Sequence, residues 1–262
     1  MSETPNLPAI EMRGVNVVAM RDASFNVVAG VNWLVAPGEF WVIAGTQHSG
    51  KSDFLKLAAG LIMPVKGSYK LFGFETQNLG EAELAKRLQV GFVFEGGQLF
   101  NQLTLRENIS LPLQYHRDLT AAAAGPEVQT LLELLELADL AEVLPPHISS
   151  NWLQRAALAR ALILKPDLLL LDNPLSRLDA RHLQWWLRFL NRLCRGHEWR
   201  GGKPMTLVAT TNDLRPWQGA QRKFALLHDG KFSTLGSWND VETAGDPVVK
   251  ELLAVPVEEV VK

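Results

Sequence analysis

Residues 45–52 read Gly-Thr-Gln-His-Ser-Gly-Lys-Ser and fill the pattern G-x-x-x-x-G-K-[ST] at every fixed position. Each fixed residue type suits the holding of an anion. Glycines let the backbone curl until several N–H groups converge on one charged group. A helix opening there adds the positive end of its dipole. Lys51 supplies a compact cation for the β- and γ-phosphates of a nucleoside triphosphate, and the Ser52 hydroxyl is a ligand for Mg²⁺. The expected cradle is Gly45, Thr46, Gln47, His48, Ser49, Gly50, Lys51, Ser52 and Asp53, with the His48 side chain facing solvent. A partner carboxylate is expected at the end of another strand. The run Leu168–Leu171 ends in Asp172, which makes Asp172 the expected second ligand of the metal.

Such residues must be positioned by regular elements. Phe40 to Ala44 is an apolar run that leads straight into the glycine-rich turn, so it reads as a buried strand. Phe54, Leu55, Leu57, Ala58, Leu61 and Ile62 then recur at helical spacing. Strands are also predicted at 91–94, 167–171, 205–210 and 225–227, the last before the Asp229-Gly230 turn signal. Helices are predicted over about 126–144, 152–164 and 179–195, with Pro166 ending the second. The stripe Val128, Leu131, Leu132, Leu135 and Leu137 should be buried, and the run Ala121–Ala124 is a loop or a helix start. Strands that are apolar throughout, alternating with helices, predict an α/β fold with a mostly parallel sheet covered by helices. The helical stretch from about 101 to 162 interrupts that alternation as a separate lobe.

Composition sets the outer bounds. The chain has 262 residues, is 47% hydrophobic and 21% charged, and carries 26 basic against 28 acidic side chains. These values exclude wholesale disorder and disfavour a dedicated nucleic-acid binder, which is normally basic. One cysteine, Cys194, excludes an internal disulfide framework and a cysteine metal cluster. No apolar run reaches 18 residues, and the N-terminal MSETPNLPAIEMRG has no apolar signal core. A cytoplasmic globular protein is the expectation. Trp185 and Trp186 point to different faces of one helix, so one should be core and the other interfacial. His182 and His197 have no ligand constellation around them and are expected at the surface.

The stretch Asp172-Asn173-Pro174-Leu175-Ser176-Arg177-Leu178-Asp179, preceded by Gln154-Arg155 and the segment to Ala161, resembles the ATP-binding-cassette (ABC) ATPases from roughly residue 10 to 235. The block from Phe94 to Leu113 and the tail from Asp246 to Leu253 look more specifically like the ATPase subunits of MCE/Mla-type phospholipid transporters. The resemblance implies a P-loop NTPase cassette with an inserted α-helical subdomain and an N-terminal antiparallel β portion. It implies a single nucleotide-binding domain over 1–240, with a RecA-like core at about 8–100 and 163–235, a helical subdomain at about 101–162, and a C-terminal helical tail at 241–262. It implies ATP and Mg²⁺ as cofactors, an integral-membrane permease, a second ABC subunit (identical or an intact paralogue) and an MCE-domain protein as partners, and a place on the inner face of the cell membrane. In that family two subunits sandwich two ATP molecules, each site joining one phosphate loop to the other subunit's signature loop.

Five positions depart from the family pattern. Asn173 stands where a glutamate polarises the attacking water, and an amide cannot accept that proton. The signature L-S-G-G-Q reads Ile148-Ser149-Ser150-Asn151-Trp152, so Ser149 remains but both glycines are gone. Ser149 is left with two readings, a phosphate contact or, with Ser150, an N-cap of the next helix. Asn212 replaces the switch histidine, and Glu95 replaces the glutamine that senses Mg²⁺. A carboxylate at 95 is an acceptable Mg²⁺ ligand, which adds Glu95 to Ser52 and Asp172 as a metal candidate. No aromatic residue precedes Phe25 in the region that stacks on adenine. The grip on phosphate and metal survives while the groups that activate water are altered. This pattern predicts a transporter subunit that binds Mg-ATP with weak or no hydrolysis. A competent ATPase using Glu95 or a partner's residues, and a nucleotide-dependent scaffold outside transport, are the alternatives.

Overall fold

A computed structural model describes residues 7–19, 22–76, 90–219 and 221–254, the side chains of 22–26 excepted. Strands β1 (Ile10–Ala19) and β2 (Asp22–Val35) form an antiparallel hairpin, and β4 (Lys66–Leu71) and β5 (Phe74–Glu75) extend it in the order β2-β1-β4-β5. The second sheet contains β3 (Phe40–Ala44), β6 (Val90–Val93), β7 (Leu168–Leu171), β8 (Thr206–Thr211), β9 (Arg222–His228) and β10 (Lys231–Gly236). Its order is β10-β9-β3-β8-β7-β6, parallel throughout except for the β9/β10 pair.

Every residue of β3, β7 and β8 is buried, as expected for strands with a layer on each face. Successive side chains enter different cores. Val42, Ala44, Leu169, Leu171, Leu207 and Ala209 face one, while Trp41, Ile43, Leu168, Leu170 and Val208 face the other. The second core is closed by the antiparallel sheet and by α1 (Lys51–Ala58). The first is closed by α2 (Leu105–Arg117), α3 (Ala121–Leu134), α4 (Ser150–Leu162), α5 (Ala180–Arg195), α6 (Trp238–Thr243) and α7 (Pro247–Leu253). Burying a leucine on this scale contributes about 1.5–3 kcal/mol per side chain, so the four leucines of β7 hold the strand that carries Asp172 firmly in place.

Two sequence expectations are corrected. The helix predicted over 126–144 runs from Ala121 to Leu134, with Gly125-Pro126 inside it. Its end is a hydrogen-bonded cap. Glu136 takes the left-handed conformation at φ 59°, its N–H reaches the Glu133 carbonyl at 3.1 Å, and the Leu137 N–H reaches the Leu132 carbonyl at 2.7 Å. Leu135 and Leu137 are buried although they lie past the helix end. His182 and His197, expected at the surface, are buried. Trp152 meets His182 edge-on at 4.8 Å, and Phe189 covers His197 at 5.6 Å. Trp186 is core, while Trp185 is half-buried against Phe189.

The parallel register has a direct consequence. The loops that follow β3, β8, β7 and β6 all leave the same edge of the sheet, which brings Gly45, Asn212, Asp172 and Glu95 to one side from four distant parts of the chain.

Candidate nucleotide-binding site

The loop after β3 is shaped by two glycines that no other residue replaces. A Cβ on Gly45 would lie 2.4 Å from the Leu227 carbonyl oxygen and 2.6 Å from Ser49 Oγ. Gly50 has φ 91°, and a Cβ there would lie 1.8 Å from Val27 Cγ1. Gly50 is also the N-cap of α1 and offers no side chain to the first turn, which leaves that turn's N–H groups for an anion. Gly50→Ala is expected to lower stability by about 3 kcal/mol through left-handed strain and the Val27 collision. The control is Gly125→Ala, where a Cβ meets nothing within 4 Å. Thermal unfolding of both variants checks this, and equal midpoints would contradict it.

Lys51 folds back over the loop. Its ammonium donates to the carbonyls of Gly45 at 2.9 Å and Thr46 at 2.6 Å and to Ser49 Oγ at 3.2 Å. Burial pulls Lys51 down to about 8, opposed by the charges of Asp172 and Glu95. Gln47 and His48 are exposed, and the Asp53 carboxylate pairs with Lys56 at 3.3 Å. Asp172, at the end of β7, is buried. Burial pushes its carboxyl up, hydrogen bonds from Ser52 and Thr210 pull it down, and the charge of Glu95 adds to the rise. The Thr210 hydroxyl donates to Asp172 Oδ1 at 2.8 Å and accepts from the Asn173 N–H at 2.9 Å. Thr210 was not among the predicted site residues. Its strand carries three threonines, Thr206, Thr210 and Thr211, and Thr210 directly follows the apolar run Leu207–Ala209.

Asn173 and Glu95 meet: Asn173 Nδ2 donates to Glu95 Oε1 at 2.8 Å. Asn212 is exposed at the end of β8 and lines a second cleft with Asn173, Ser176, Arg177 and residues of α7. Ser149 is the N-cap residue of α4 by backbone conformation, and its side chain makes no capping hydrogen bond. Asn151, in place of a signature glycine, donates from Nδ2 to Asp179 Oδ2 at 2.7 Å. The other oxygen of Asp179 accepts from the His182 N–H at 2.9 Å, so both oxygens are engaged within this chain. The Phe25 side chain lies outside the described residues.

The donors fit Mg²⁺. Ser52, Asp172 and Glu95 offer hard oxygens, and two carboxylates that oppose each other's charge at one edge are relieved by a cation. Among the described residues no cluster of three or more His, Cys, Asp or Glu could hold a metal.

The ABC transporter family pattern matches residues 28–176, more than half of the chain. The chain belongs to the ABC transporter family. Its cassette is 34% identical over 226 residues to the sulfate/thiosulfate import ATP-binding protein CysA of Synechococcus elongatus, covering 85% of this chain and 62% of that protein. It is 32% identical to the probable sulfate/thiosulfate import ATP-binding protein CysA of Chlorella vulgaris, over 84% of this chain and 89% of that one. The Fe(3+) ions import ATP-binding protein FbpC of Fusobacterium nucleatum is 30% identical, over 82% and 55%. The chain thus spans about three-fifths of the length of the first of these relatives. The dimeric structure of the ATP-binding cassette MJ0796 bound to ADP and Pi superposes with TM-score 0.75 at 28% identity, over 87% of this chain and all of that one. The fold is therefore a P-loop ABC cassette with a mostly parallel core sheet, an antiparallel sheet and a helical subdomain. These relatives are named for sulfate/thiosulfate and ferric-ion import, and none of the three carries a name that supports the MCE/Mla lipid subgroup.

Proposed function

We propose that this cassette is the nucleotide-binding subunit of a membrane transporter, that it holds Mg-ATP through Gly45–Asp53 and Asp172, and that it turns ATP over slowly at most. One observation carries the reading. The phosphate grip is complete, with Lys51 and Asp172 buried at its floor, while position 173 carries an amide whose donor is spent on Glu95. The signature segment adds support, because Asn151 is tied to Asp179 of its own chain and the backbone there lacks the glycines that permit close approach to a phosphate.

Among the described residues no helix is long and apolar enough to cross a membrane. A transporter role therefore calls for a permease, and the cassette offers a docking cleft of about 600 Å³ beside β6 and α2. Phe92, Phe94, Phe100, Leu111, Pro112 and Tyr115 line it, and Tyr115 and Phe100 are 81% and 51% exposed. The second subunit is an identical or intact cassette, and the complex sits on the inner face of the cell membrane. The relatives' names favour import of a small oxyanion or metal ion as the cargo. A lipid cargo rests only on the resemblance of the 94–113 block and the 246–253 tail, and Phe94, Gln98, Phe100, Leu111 and Pro112 of that block line this cleft.

The test is a Mg-ATP titration of the purified protein together with a turnover assay on its complex. Saturable binding is expected, with turnover below a tenth of that of an intact cassette. Turnover within tenfold of the intact relative would sink the slow-hydrolysis reading. Capture of a soluble partner with no membrane protein would favour the scaffold alternative.

A further inference from the structure

We infer that the amide and the carboxylate of the hydrolytic pair have traded strands in this chain. Glu95, beyond the end of β6, is the carboxylate that orients the attacking water in the slow turnover proposed above, and Asn173, beyond the end of β7, is the positioning residue that holds it. The inference rests on the nucleotide site proposed above.

Strands β6 and β7 are parallel neighbours, with Val93 opposite Leu171. Residues two places beyond each partner therefore leave the sheet side by side, and these are Glu95 and Asn173. Their side chains meet at 2.8 Å with the amide donating. That bond fixes Glu95 Oε1 and leaves Oε2 to accept from a water. Asn173 is itself anchored. Its N–H is held by Thr210 Oγ1 at 2.9 Å, the same hydroxyl that donates to Asp172 at 2.8 Å. The Glu95 carboxylate is thus held at a defined offset from the metal candidate Asp172. Both carboxylates act on the Lys51 ammonium, which places Glu95 within electrostatic reach of the cation meant for the terminal phosphates. Asp172 is a poor candidate for the water, being buried and bonded to Ser52 and Thr210. Glu95 is exposed at the mouth of the site.

The chemistry balances with water as the only co-reactant. The water oxygen bonds to the γ-phosphorus, the bond from that phosphorus to the β–γ bridging oxygen breaks, ADP leaves, and the water's proton leaves with the phosphate. Phosphoryl transfer passes through a loose transition state, so the carboxylate contributes by orienting the water.

The experiment measures kcat and KM for ATP at limiting and at saturating Mg²⁺ for wild type, Glu95→Gln, Asn173→Glu and the double variant, alongside ATP titrations. Glu95→Gln is expected to lower kcat by about tenfold or more with KM changed by less than about threefold. Asn173→Glu alone sets two carboxylates against each other and is expected to stay below the double variant. The double variant restores one amide and one carboxylate in mirrored order and is expected to return kcat to the wild-type level or above. A Glu95→Gln kcat equal to wild type, measurable or at background, overturns the inference alone if ATP still binds. A loss that vanishes at saturating Mg²⁺ assigns Glu95 to the metal only and also overturns it. Absence of ATP binding by wild type overturns both this inference and the function it rests on.

Discussion

Lys51→Ala is expected to weaken Mg-ATP binding by about 10²–10³-fold without lowering the stability of the unliganded protein. The two halves of this result have separate causes. Hydrogen bonds between a cation and phosphate are charge-assisted, at about 1.5–3 kcal/mol each, and one or two of them account for the loss in affinity. In the unliganded cassette the same ammonium is a burden, because burial pulls it down to about 8. Its three acceptors, two backbone carbonyls and Ser49 Oγ, compensate in part. Removing the cation removes both the burden and the compensation. A thermal-shift measurement separates the two. At an ATP concentration of about 100 Kd the wild type gains about 2.7 kcal/mol, which for a chain of this size raises the midpoint by about 5–10 °C. The variant should show the wild-type midpoint without nucleotide and almost no rise with it. An undiminished rise would mean that the loop is not what holds the nucleotide.

How much of this was legible in the sequence follows from distance along the chain. The cradle lies within nine consecutive residues, eight of them the motif itself, so it could be read directly. The strands β3, β7 and β8 are buried on both faces and show as unbroken apolar runs. The Glu95–Asn173 contact joins residues 78 apart and depends on β6 pairing with β7, which no local pattern reveals. The end of α3 was hidden for a different reason. A glycine or asparagine normally marks a left-handed cap, and here Glu136 occupies it. Its carboxylate accepts from Arg155 at 2.8 Å and from Trp185 Nε1 at 3.1 Å, contacts a glycine could not make. The misplaced helix boundary and the unanticipated aromatic cluster are thus one feature seen from two sides. The buried histidines belong with it: His182 is packed on Trp152, and His197 on Phe189, which stacks on Trp185.

Arg155→Ala is expected to cost about 3 kcal/mol, and Arg155→Met less than about 1 kcal/mol. Arg155 is 1% exposed on α4, with its guanidinium 3.8 Å from the centre of the Trp185 ring and 4.5 Å from that of Trp152. Its ion-pair partner Glu136 is 50% exposed, so that pair is screened and contributes modestly, about 0–1 kcal/mol. The two ring contacts contribute about 0.5–2 kcal/mol each. Arg155 Nε is buried with no hydrogen-bond partner, a standing cost of about 1–3 kcal/mol that offsets much of the gain. The charge is therefore close to neutral for stability, and the volume between the rings decides the outcome. Alanine empties that volume, whereas methionine fills it and also removes the unpartnered Nε. Urea unfolding of the two variants discriminates between packing and charge. Equal losses would show that charge, and not packing, fixes the cluster. The consequence reaches the site, because Arg155 joins α4 and the end of α3 to Trp185 on α5, while Asn151 joins the start of α4 to Asp179 at the start of α5. Asn151 of the signature segment is thus tied at the surface to Asp179 of the same chain, and Arg155, just past that segment, is buried against the rings of Trp152 and Trp185.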